Sequence, residues 1–160
     1  ESGNIIRPAI PIVIEGRTFG PLLLTNFVGN GSSAMFCREA VIEAGGYRAP
    51  AADWPHGEDY LLQLRIASRR LVACVQQDLV AYRKMPDGLS ANIEGEYRAR
   101  IAAVECALRE GGPVSVPVLK WARGDAARVR AIRLLDRGEL GEASRWIARS
   151  VTADPYGAVS

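Results

Sequence analysis

The chain holds a single histidine and three cysteines, and Cys37, Cys74 and Cys106 stand far apart with no CxxC spacing among them. That scarcity excludes the common His/Cys metal centres, whose ligands arrive in close-spaced pairs. The scattered, odd-numbered cysteines read instead as small buried hydrophobes in a reducing, cytoplasmic setting. Aromatic residues are sparse at 7%, no basic stripe interleaves them, and the formal net charge is only +2. A nucleic-acid partner is therefore not expected, because strand-binding surfaces combine cationic grooves with stacking platforms. No apolar run approaches the roughly 18 residues that suggest a membrane span; the longest, around Pro21-Leu22-Leu23-Leu24, breaks within a few positions. The start, ESGNIIRP, carries neither a signal peptide nor an initiator methionine, so the expectation is a piece cut from a longer polypeptide.

What is present is an ordinary globular composition: 160 residues, 48% hydrophobic and 24% charged, enough for a core of its own. Two β-rich runs, AIPIVI (9–14) and LLLTNFV (22–28), are bounded by Gly and Pro and predict strands. After Gly29-Asn30-Gly31, SSAMFC predicts a short strand leading into a helix, REAVIEAGG. That helix should stop at Gly45-Gly46, where glycine accepts the left-handed conformation without strain. The loop YRAPAADWPHG delivers the chain to a helix over 59–69, and LVACV (71–75) predicts a buried strand. The alternation of strands and helices points to an α/β layered sheet.

The stretch HGEDYLLQLRIA places Glu58 and Asp59 side by side at the start of the amphipathic helix. Capping alone would account for both, since a helix start has unpaired N–H groups and a positive dipole end. The alternative is that one acid is free to act as a general base. His56 could ligate a metal or touch phosphate, or be a solvated loop histidine. The backbone N–H groups of Asn30, Gly31 and Ser32 could face a substrate, or form an ordinary turn between strands.

Four blocks carry a resemblance: NFVGNGSSAMFCREAVIEAGGYR, GEDYLLQLRIA, a hydrophobic strand, and DLVAYRKMPDGLS, in that order over residues 26–90. Together they resemble the C-terminal half of a family-2 glycosyltransferase catalytic domain. The resemblance implies a partial GT-A sheet-and-helix lobe over 1–95. It implies transfer of a sugar from a nucleotide-sugar donor to an acceptor hydroxyl with inversion, Asp59 as general base supported by Glu58, and substrate contacts from Asn30, Gly31, Ser32, His56 and Arg83. A divalent metal, Mn or Mg, is expected in the parent enzyme. No Asp-x-Asp-like pair stands in this chain to hold it, since the acids before residue 50 are the isolated Glu1, Glu15, Glu39 and Glu43. The donor half would then lie elsewhere, leaving this chain the acceptor side and inactive alone. Two departures stand out. Tyr82-Arg83-Lys84 continues with Met85 where relatives often carry histidine, and Gly45-Gly46-Tyr47-Arg48 puts a base where relatives tend to have an acid. Arg65 on the same helix is expected to form a structural ion pair.

Past residue 90 the pattern changes to a helical extension, 96–160. EYRARIAAVECALREGG is helical in period, with Ile101, Val104 and Leu108 on one stripe. DAARVRAIRLLDRGELGEASRWIARSVTADP predicts two helices joined at Arg137-Gly138 and resembles one tetratricopeptide-like hairpin, with a second stripe at Val129, Ile132 and Leu135. Lys120 to Arg149 carries eight basic and four acidic residues, an excess that would favour peripheral association with the inner membrane face, or be spread over a solvated helix surface. Two functions from different classes follow: the acceptor-side portion of an inverting glycosyltransferase, or a non-catalytic interaction module derived from such a lobe.

Overall fold

The structure, a computed structural model, describes residues 13–29, 31–54, 56–77, 79–81, 91–111 and 117–154. Among them it contains helices and no strand, so the expected α/β sheet is corrected. In chain order the elements are α1 (Phe19–Leu24), a 3₁₀ turn (Gly31–Ser33), α2 (Arg38–Glu43), α3 (Glu58–Ala67), α4 (Ile93–Arg109), α5 (Pro117–Asp136) and α6 (Leu140–Ala153).

The first correction lies in LLLTNFV. Leu22 and Leu23 are fully buried, but as part of α1, with the Leu22 N–H donating to the Thr18 carbonyl at 2.8 Å and Thr25 to Pro21 at 3.0 Å. Pro21 is tolerated because it sits in the first turn, where an amide proton has no partner within the helix. A short apolar run has no period long enough to separate strand from helix. With no neighbouring strand to complete a ladder, the helix satisfies its own backbone. In the SSAMFC segment, Ser32 and Ser33 belong to the 3₁₀ turn and 34–37 is irregular. Of AIPIVI, residues 9–12 lie outside the described residues and 13–14 are irregular. LVACV is neither strand nor buried: Leu71 and Val75 are 72% and 62% exposed. Its single pairing is an antiparallel bridge between Gly16 and Val72, with hydrogen bonds of 2.7 and 2.9 Å.

Two helix boundaries fall where expected, while α3 ends two residues earlier than expected and α4 runs from Ile93 to Arg109 rather than over 96–112. α2 stops at Gly45 and Gly46, with φ of 82° and 67°, and the Gly46 N–H reaches back to the Val41 carbonyl at 2.9 Å, a left-handed C-terminal cap. α5 and α6 join through Arg137-Gly138-Glu139, as a hairpin.

The core is organised around α3, which is buried on two sides. Tyr60, Leu61, Leu64 and Ala67 enter the main cluster with Phe19, Leu22 and Leu23 of α1, Ala103 and Val104 of α4, and Val118 and Ala122 of α5. Leu62 and Ile66 meet Ala40 and Ala44 at the end of α2 in a smaller cluster. The main cluster thus draws on residues both before and after position 95. On α4, Val104 of the expected stripe is buried, while Ile101 and Leu108 are half-buried. On α5 the expected stripe is displaced: Ile132 and Leu135 are exposed, and Ala122, Ala126, Ala127, Ala131 and Leu134 are buried instead. Small residues win these positions because they let helices approach closely. A Cβ added at Gly124 would lie 2.8 Å from the Asp154 Cβ.

Polar pairs pin the helices laterally. Arg100, on α4, donates to the Leu24 carbonyl at 3.0 Å and to Asp125 on α5, with both side chains of the ion pair largely buried. Arg65 grips Glu110 in a two-pronged pair at 2.9 and 2.6 Å, the structural ion pair expected of it. Of the cysteines, Cys106 is buried, Cys74 half-buried and Cys37 exposed, so the uniform burial expected for them is corrected at Cys37.

Candidate functional site around Asp59

α3 begins at Gly57, whose φ of 94° and ψ of 23° place it in the left-handed region. Glycine takes that conformation without the Cβ–carbonyl clash other residues incur. The residue at the cap position is therefore a glycine with no side chain to offer, and the acids follow it as the first two residues of the helix. Both lie where the helix dipole favours negative charge.

Asp59 does more than complement the dipole. Its Oδ1 accepts a hydrogen bond from the Tyr60 N–H at 2.8 Å, satisfying one of the unpaired donors of the first turn. Its other oxygen faces a different part of the chain. A Cβ placed on Gly31 would lie 3.6 Å from the Asp59 Cβ, 3.7 Å from its Oδ2 and 3.9 Å from the Tyr47 hydroxyl. The 3₁₀ turn, the loop after α2 and the start of α3 thus converge on one spot. There a carboxylate oxygen and a phenol flank a glycine backbone that presents no side chain. Asp59 is half-buried and forms no ion pair among the described residues.

The other expected residues divide. Gly31 is brought to Asp59, and Ser32 follows it in the same turn. Glu58 is half-buried beside Asp59, and no hydrogen bond or ion pair holds it among the described residues. His56 is exposed just before the helix. Asn30 and Arg83 lie outside the described residues. Tyr47 was missed as a site residue, although its loop drew notice for the base at Arg48. A tyrosine directly after a glycine helix stop is a usable signal, because the stop fixes the direction in which the chain leaves. Arg48 contributes through its carbonyl, which accepts from Arg65 at 3.3 Å and ties the loop to α3.

Among the described residues no group of three or more His, Cys, Asp or Glu side chains could hold a metal ion. These residues therefore offer no ligand set for the divalent ion that the resemblance implies for the parent enzyme. A cleft of about 30 Å³ lies elsewhere, between α4 and α5, and is lined by Tyr97, Arg100, Val129 and Arg130 among others. That is room for about one water molecule. No helix among the described residues is long and apolar enough to cross a membrane. No protein-family model, no curated protein and no solved structure matches the chain.

Proposed function

We propose that this chain forms the acceptor side of an inverting sugar transfer, with Asp59 as general base. The observation that carries the reading is the convergence of the Asp59 Oδ2 and the Tyr47 hydroxyl on the side-chain-free backbone of Gly31. In a direct displacement the acceptor oxygen forms the new bond to the anomeric carbon while the bond to the leaving diphosphate breaks and its electron pair departs with the diphosphate. The acceptor proton must go to a base as this happens. A carboxylate oxygen facing a backbone without a side chain is a suitable recipient, and such proton transfer contributes roughly 10²–10⁴ in rate. Tyr47 would hydrogen-bond a neighbouring hydroxyl, and Glu58 would orient rather than accept. The nucleotide-sugar and its metal belong to chain outside these residues.

The test is turnover in the polypeptide that carries both sides, comparing Asp59→Asn with Glu58→Gln. The base reading expects a loss of roughly 10²-fold or more in kcat for Asp59→Asn and a milder loss for Glu58→Gln, with melting temperatures nearly unchanged. Equal and small losses in both would return the pair to helix capping.

A further inference from the structure

The α5–α6 hairpin carries six exposed apolar side chains: Trp121, Ile132 and Leu135 on α5, and Leu140, Ile147 and Val151 on α6. At about 100° per residue, those on α5 fall within about 60° of one another and those on α6 within about 40°. Each stripe lies about a quarter-turn from the buried residues on the side facing the other helix, Ala127 and Ala131 with Gly124 on α5, and Ala143 and Ser150 on α6. The rotation has the same sense along both chains. The helices are antiparallel, since Gly124 in the first half of α5 approaches Ala153 and Asp154 at the end of α6, while Leu134 near the end of α5 packs with Ala143 near the start of α6. In an antiparallel pair the same sense of rotation puts both stripes on one face. That face turns away from α4, whose Ile93 packs with Leu134 and Ala143 on the opposite side.

Charge decides what covers this face. Part of the basic excess of the hairpin is spent inward: Arg123 pairs with Glu105, Arg130 with Glu94 and Arg133 with Glu96, all acids of α4. Arg149 lies 4.6 Å over the Trp146 ring. On the apolar face itself stands Arg128, which shares the Asp125 carboxylate with Arg100 of α4. The surface is thus mainly apolar, with one shared cation. An anionic membrane would find only that charge to attract it there, whereas a second copy would cover the six apolar side chains with six of the same kind.

We infer that two copies of this chain pair through the outward α5–α6 faces, closing a four-helix layer about a two-fold axis. Such an isologous contact uses one self-complementary patch twice. α5 is about 30 Å long and each helix about 10 Å wide, so the face offers roughly 500–600 Å² per copy, or about 1,000–1,200 Å² in all, the lower edge of specific interfaces. The pair is therefore weak and concentration-dependent. This inference is independent of the transfer reading, because none of its residues touches Asp59.

Sedimentation velocity of the full chain from roughly 5 to 500 μM, a range that brackets a micromolar dissociation constant, tests it. The expected result is a monomer–dimer equilibrium that Ile132→Arg and Ile147→Arg each shift to monomer by at least 10-fold in Kd, with unchanged melting curves because both side chains are already 45–46% exposed. Leu71→Arg, at an exposed apolar residue off this face, should dimerise like the parent. A parent chain that stays monomeric throughout the range overturns the inference, whether or not it binds phosphatidylglycerol vesicles. So does a dimer that survives both hairpin variants, or one that Leu71→Arg disrupts equally.

Discussion

Replacing Gly57 with alanine loads two distinct costs onto the start of α3, and a second glycine in the chain allows them to be separated. Gly57 and Gly111 share a φ of 94°, so a Cβ at either position incurs the left-handed penalty, on the order of 1–2 kcal/mol. At Gly111 the new methyl meets nothing within 4 Å, whereas at Gly57 it would lie 3.2 Å from the Ala99 Cβ of α4. That contact is closer than methyl groups ordinarily pack, so α3 and α4 must separate slightly, and overpacking of this kind adds about 1–3 kcal/mol. Gly57→Ala should therefore cost about 2–5 kcal/mol and Gly111→Ala about 1–2 kcal/mol. Urea unfolding followed by helical circular dichroism measures both. Ala99→Gly in the Gly57→Ala background removes the clashing methyl, so the double-mutant cycle should show a favourable coupling on the order of 1–2 kcal/mol. Equal losses at the two glycines, or no coupling to Ala99, would refute the packing of α3's capping glycine against α4.

Leu61→Ala, at a side chain with no exposure, should cost about 2–5 kcal/mol in the same assay, against under about 0.5 kcal/mol for Ile42→Ala at an exposed site. The hydrogen bonds from Arg65 hold the Glu110 carboxyl below its usual range. The pair's stabilisation should be complete above the ordinary glutamate value of about 4.3 and fade as pH falls through Glu110's lower one. The difference in unfolding free energy between the parent and Glu110→Gln should accordingly shrink on acidification; a difference constant from pH 7 to about pH 3 would show that the charge is not what holds the pair. The exposed Cys37 should react promptly with a thiol reagent. The buried Cys106, whose thiol burial pushes up, should react only on the timescale of unfolding.

Helices with explicit stops were legible in the sequence, because their punctuation is local. Gly45-Gly46 and Gly138 adopt positive φ as their positions demand, and α3 begins where the acid pair stands. Strands were not legible, because a strand is a tertiary object whose ladder must come from elsewhere in the chain. Leu22 and Leu23 are equally apolar in either conformation, and only the presence of α3 and α5 beside them settles the choice. The α5 seam was misplaced for a related reason. Large residues at helical spacing suggest a core stripe, yet a hairpin packed closely enough to need Gly124 buries alanines and leaves Ile132 and Leu135 outside. At the site, Asp59 could be named from its position, but its meeting with Gly31 and Tyr47 depends on how α2 and α3 pack.

The choice between cap and base at Asp59 divides between its two oxygens. Oδ1 is committed to the Tyr60 N–H, a bond that an asparagine carbonyl oxygen can accept equally well and an amide nitrogen cannot accept at all. In Asp59→Asn that bond therefore selects one amide orientation, with the oxygen on Tyr60 and the NH₂ group turned toward Gly31. The helix start keeps its partner, and Tyr60 keeps its place, buried with its hydroxyl donating to the Leu22 carbonyl at 2.5 Å and its pKa pushed up to about 12 by that burial. Only the outward atom changes, from a proton acceptor to a donor. A structural role for the residue lives on the oxygen that the substitution preserves, and a chemical role lives on the one it removes, so stability and turnover report on different atoms of the same side chain.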